Sequence, residues 1–100
     1  MPIGNHKFMS EIINAKLNNI TQEFIADAKL CENKCDWLGA IVFYRSALKI
    51  RPNYFAIHHN LAIALRYAGQ SKNALKSAQF AATLAPDHPT VQFSLGVSLE

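Results

Sequence analysis

Residues 36–52, Asp36-Trp37-Leu38-Gly39-Ala40-Ile41-Val42-Phe43-Tyr44-Arg45-Ser46-Ala47-Leu48-Lys49-Ile50-Arg51-Pro52, set the plan of the chain. Their punctuation returns further along: Cys35-x-Trp37-x2-Ala40-x3-Tyr44-x2-Ala47-x4-Pro52 becomes Gly69-x-Ser71-x2-Ala74-x3-Ala78-x2-Ala81-x4-Pro86. The interval from Cys35 to Gly69 is thus a fixed period, and a period of this length with helical spacing inside it marks helix-turn-helix units stacked one on the next. Aligning residues 21–54 with 55–88 leaves four identities: Ala28 with Ala62, Ala40 with Ala74, Ala47 with Ala81, and Pro52 with Pro86. Small side chains at these positions let the two helices of a pair approach closely while larger neighbours fill the gaps. Pro52 cannot continue a helix, because it lacks an N–H and disfavours α geometry at Arg51.

Working outward, residues 5–20 carry Phe8, Ile12, Ile13, Leu17 and Ile20 at three-to-four spacing, with Ser10 available as a helix cap. Asn19 lies one period before Asn53, and Asp87 one period after it, so a cap-type residue recurs at three junctions. The segment 1–20 reads as a degenerate helix covering one end of the stack. Residues 21–34 read as a first helix, with Phe24, Ala28 and Cys31 on one stripe. Asp36 is placed to cap a second helix of about 36–49, in which Leu38, Ile41, Val42, Leu48 and Ile50 predict burial on more than one side. Asn53 is placed to cap a helix of about 55–68, and Gly69 to end it. Ser71 opens the next helix, which runs to about Leu84. Asp87 and Pro89 begin a last one over 89–100.

Half of the 100 residues are hydrophobic and 17% are charged, a balance that fits a folded chain. Frequent Ala, with few Pro and Gly, favours helices. The net charge of +3 comes from ten Lys and Arg spread along the chain, without the basic block that signals nucleic acid or an anionic membrane. No window approaches the ~20 apolar residues of a membrane span, and the N-terminus lacks the apolar core of a signal peptide. The expectation is a cytoplasmic protein that binds neither nucleic acid nor membrane.

The four identities all fall on signature positions of one repeat pattern, and over residues 21–100 the chain resembles the tetratricopeptide repeat (TPR) family. The resemblance implies an all-α fold of antiparallel helix-turn-helix repeats stacked as a right-handed superhelix, an α-solenoid. Residues 1–20 would be a capping helix, 21–54 the first repeat, 55–88 the second, and 89–100 the lone helix of a partial third, in one domain. Leu95-Gly96-x2-Leu99 agrees with Leu61-Ala62-x2-Leu65. The chain departs from the pattern at His58 and Gln92, where an aromatic is expected, at Asp27, where Leu is expected, and at Ala78, where Tyr44 supplies the aromatic in the first repeat.

Neither cysteine nor histidine spacing completes a metal site. Cys31 and Cys35 have no second pair, and His6, His58, His59 and His88 show no ligand spacing. The two thiols read as reduced packing residues beside the turn, and His58 as a packing residue. No nucleophile–base arrangement and no glycine-rich phosphate loop is present, so no enzymatic activity and no cofactor are expected. In TPR domains the first helix of each pair lines a concave groove. By register that surface is Gln22, Ile25, Ala26, Lys29 and Asn33, then Ala56, His59, Asn60, Ile63, Arg66 and Tyr67, then Phe93, Ser94 and Val97. Asn60 matches a place where many peptide-binding members use an Asn, whose amide donates and accepts at once. The family's carboxylate clamp for chaperone tails is not matched, since its places read Ile25, Lys29, Thr90 and Ser94. The resemblance thus implies a protein–protein interaction module that holds a peptide or helix of a partner. Lys29, His59, Asn60 and Arg66 would make polar contacts, and Ile63, Tyr67 and Phe93 apolar ones. The alternative is an oligomerisation or scaffold segment of a longer TPR-containing protein, self-associating through Val91, Leu95 and Leu99 of its terminal helix.

Overall fold

A computed structural model of the chain describes residues 2–86, in which every regular element is a helix. They are α1 (Pro2–Asn33), α2 (Trp37–Ile50), α3 (Phe55–Tyr67) and α4 (Ser71–Leu84). Helix α1 packs against α2, α2 against α3, and α3 against α4. The 89–100 helix, with Val91, Phe93, Leu95 and Leu99, lies outside the described residues, as do Asp87 and Pro89.

The period seen in the sequence is written into the backbone. At the end of α1 the Cys35 N–H donates to Glu32 O (2.9 Å) and the Asp36 N–H to Cys31 O (2.8 Å). At the end of α3, one period on, the Gly69 N–H donates to Arg66 O (3.0 Å) and the Gln70 N–H to Leu65 O (2.8 Å). Both are Schellman turns, in which a left-handed residue lets the chain reverse while satisfying the last helical carbonyls. Gly69 takes that conformation with φ 81°, and Cys35 takes it with φ 58°. A side chain in this region costs about 1–2 kcal/mol, so the first turn stores strain that the second does not.

Asp36 caps α2 as expected, its Oδ1 accepting from the Gly39 N–H at 3.0 Å. Gly39 is small for this reason: a Cβ there would lie 2.9 Å from Asp36 Cγ and 3.0 Å from Cys31 Sγ. The cap of α3 falls one residue later than expected. Tyr54 is the capping residue and makes no side-chain cap bond. Asn53 is spent in the turn, where the Tyr54 N–H donates to Arg51 O at 3.3 Å.

Residues 2–20 are not a separate helix. α1 runs unbroken from 2 to 33, with no cap at Ser10 or Asn19. Nothing between Asn5 and Asn33 is Gly or Pro. At the expected junction the buried Thr21 folds back within the helix, its Oγ1 donating to Leu17 O at 2.7 Å. Of the early apolar set, Phe8, Ile13 and Ile20 are exposed. Leu38 and Val42 of α2, expected inside, are 64% and 61% exposed, because they lie on the side of α2 that faces neither α1 nor α3.

The core is built where the identities lie. Ala28, Ala40, Ala47, Ala62, Ala74 and Ala81 are all fully buried, and Tyr44, Ile57 and Leu65 are the largest apolar side chains fully enclosed with them. Ala47→Trp or Ala81→Trp will overpack a helix–helix contact, costing about 1–3 kcal/mol or more and lowering the thermal midpoint by several degrees. The turns give an opposite pair of expectations. Cys35→Gly will stabilise the chain by about 1 kcal/mol, whereas Gly69→Ala will destabilise it by a similar amount, both read from denaturant midpoints.

Candidate functional site

The candidate surface rests on one face of α3, where Asn60, Ile63 and Arg66–Tyr67 follow at helical steps. His59, Asn60 and Ile63 are half-buried, Arg66 and Tyr67 are exposed, and Lys29 stands exposed on α1. Phe93 lies outside the described residues. Tyr67 does not stand alone. Its ring stacks on Trp37 with centroids 4.5 Å apart and planes 14° from parallel. The Arg66 guanidinium lies 5.9 Å from the Tyr67 ring centre, at the outer reach of a cation–π contact. Trp37, the first residue of α2, thus joins the candidate set across the junction of the two hairpins. Its isolation as the one Trp of the chain was a signal, but its pairing with Tyr67 depends on how α2 meets α3.

Helices α1 and α2 are tied by a part-buried contact. The Tyr44 hydroxyl donates to Glu32, with Oε1 at 3.0 Å and Oε2 at 2.9 Å, which ties α1 to α2 one turn beyond Lys29. Burial first, then the Glu32 carboxylate, push the Tyr44 phenol well above its usual range. At the opposite end Arg51 reaches back to α1, its Nε and Nη2 donating to Asn18 Oδ1 at 3.0 and 2.6 Å. A shallow depression of about 490 Å³ lies along the α2–α3 turn, lined by Ile50 to Phe55. None of the candidate residues lines it.

The histidines and cysteines take the following places. His58 is half-buried with its ring 4.4 Å from that of Phe80, and its Nε2 is 2.7 Å from Pro52 O. A carbonyl only accepts, so Nε2 carries the proton, and His58 serves the turn. Cys31 is half-buried against the core, as expected, but Cys35 is exposed at the left-handed turn position and is not a packing residue. Burial, then the Asp36 carboxylate by charge and hydrogen bond, push the Cys31 thiol up, which leaves it protonated at neutral pH. Among the described residues no cluster of three or more His, Cys, Asp or Glu is placed to hold a metal ion. Nor is any described helix long and apolar enough to cross a membrane.

The Tyr44 contact gives a pH expectation. In the folded chain the phenol keeps its proton above pH ~10, and in the unfolded chain it loses it there. The unfolded state then binds fewer protons, so stability falls as pH rises past about 10. Urea melts between roughly pH 9 and pH 11 should show this loss in the wild type and a smaller one in Tyr44→Phe. At neutral pH that variant should be less stable by about 1–2 kcal/mol, since Glu32 loses a buried donor.

No protein-family model and no curated protein matches the chain.

Proposed function

We propose that the chain is a protein–protein interaction module of the TPR kind, whose hairpins stack as a right-handed superhelix and present α1 and α3 to a peptide or helix of a partner. The observation that carries this reading is the recurrence of one hairpin, turn for turn, at the spacing that separates Cys35 from Gly69. It extends to paired Schellman bonds of nearly equal length and to buried alanines at equal register. Repeats of this sort build extended surfaces, because each unit adds the same face beside the last.

The chemistry of that surface favours a partner that is acidic and partly apolar. From Trp37 to Pro86 the chain carries Arg45, Lys49, Arg51, Arg66, Lys72 and Lys76 but no Asp or Glu. Helices α2 to α4 therefore cannot neutralise their own charge, and their field draws in and orients an anionic segment. Asn60 would hold the partner's backbone, Arg66 and Lys29 its carboxylates, and Ile63 with the Trp37–Tyr67 stack its apolar side chains. The role is binding and not catalysis, and it needs no cofactor.

Panning the chain against a phage-displayed peptide library should enrich segments that mix Asp or Glu with large apolar residues and bind at about micromolar strength, roughly 8 kcal/mol. Asn60→Ala combined with Arg66→Ala should weaken the selected peptides at least about tenfold while shifting the melting temperature by no more than a few degrees. Enrichment of nothing, or of peptides indifferent to both substitutions, would count against this surface. Loss of helicity in the double variant would show instead that the two residues are structural.

A further inference from the structure

Helix α1 carries a second surface. Met9, Ile13, Lys16, Ile20, Glu23 and Leu30, with Asp27 in the remaining place, recur at alternating four- and three-residue steps. That spacing averages 3.5 residues and keeps a stripe on one side of a helix over many turns, the condition for pairing along its length. The whole stripe is open: Met9 is 53% exposed, Ile13 52%, Ile20 41% and Leu30 57%. Lys16, Glu23 and Asp27 are exposed between them.

The same register on α3 shows what such a stripe is for. One period on from Glu23, Asp27 and Leu30 stand Ile57, Leu61 and Ala64, and all three are buried. Helix α3 lies between α2 and α4, whereas α1 packs chiefly against α2 alone. The stripe on α1 is therefore a helix-packing side with no described helix on it.

We propose that a second copy of this chain covers it, through antiparallel pairing of α1 with α1 about a two-fold axis at Ile20. The order of the side chains selects this arrangement. With Ile20 facing Ile20 of the second copy, Lys16 faces Glu23 and Met9 faces Leu30, each contact occurring twice, as a two-fold interface requires. A parallel pair would set Lys16 on Lys16 and Glu23 on Glu23, which is repulsive. Ile13 opposite Asp27 is the one mismatch of the antiparallel pair. The contact runs about 32 Å along the helix, from residue 9 to residue 30. As a single helix pair it falls at the small end of interface sizes and makes a dimer that forms reversibly with concentration.

Sedimentation equilibrium on the 100-residue chain, from roughly 1 µM to roughly 1 mM, tests the pairing, since that range brackets the affinity of one helix pair. The mass should climb from 11.1 kDa toward twice that value. Lys16→Glu and Glu23→Lys should each raise the dimer Kd at least about tenfold, and the two together should bring it back to within about threefold of the wild type. All three variants change exposed side chains, so far-UV circular dichroism should stay constant and separate lost pairing from lost folding. A chain that is monomeric over the whole range overturns the proposal. So does a dimer that ignores both charge reversals, because it would form elsewhere, as through Leu95 and Leu99. Single variants that weaken a dimer which the double variant fails to recover would overturn the antiparallel register.

Discussion

Everything in this molecule depends on how closely its helices approach at six alanines. Ala28, Ala40 and Ala47 in the first hairpin, and Ala62, Ala74 and Ala81 in the second, have no exposed surface at all. A methyl group in each place brings the backbones together, so the larger neighbours must interdigitate around a contact that cannot move. The turns are set by the same requirement. A chain that reverses in three residues between tightly packed helices needs one left-handed residue, and both turns supply one at the same register. A fixed period follows, because an insertion would break the turn or move an alanine off the contact.

Within that shared frame the two hairpins spend one position differently. In the first, Glu32 accepts from the buried Tyr44 hydroxyl and locks α1 to α2. One period on, the partners are Arg66 and Ala78, and Ala78 is a buried methyl with nothing to offer a side chain. Arg66 is therefore released from the hairpin and lies at the surface near the Tyr67 ring. Repetition holds the fold, and the broken repetition places a charged group in the open. A structural contact in one unit thus becomes a solvent-facing Arg in the next.

The parts of the fold that depend on local chemistry were legible in the sequence. The Asp36 cap, the Gly69 turn, the ends of α2 and α4, and the buried alanines all follow from residue type at fixed offset. What could not be read depended on neighbours. Asn19 looks like a cap because Asn often is one, but a polar residue on the outer side of a long helix is equally at ease, and only packing decides. Leu38 and Val42 were expected inside because they are apolar, yet a helix with partners on two sides still has a third side that stays wet. On the candidate surface, Arg66 and Tyr67 were proposed by register, and both are exposed on α3. Trp37 was not proposed, because it comes from the other helix of the pair and reaches Tyr67 only through the way the hairpins meet.

The two surfaces assigned to α1 do not compete. At about 100° per residue, Lys29 stands on a different side of the helix from Met9, Ile13 and Ile20, and the α2 contact occupies a third. Pairing through the stripe would leave the side of α1 that carries Lys29 open in each copy, and a two-fold axis would set the two copies in fixed relation. A partner bearing two binding segments would then meet the second site at high effective concentration, so individually weak contacts would add to firm attachment. On these two proposals weak single sites and a weak helix pair would suit one another, since neither would have to be tight for the assembly to hold.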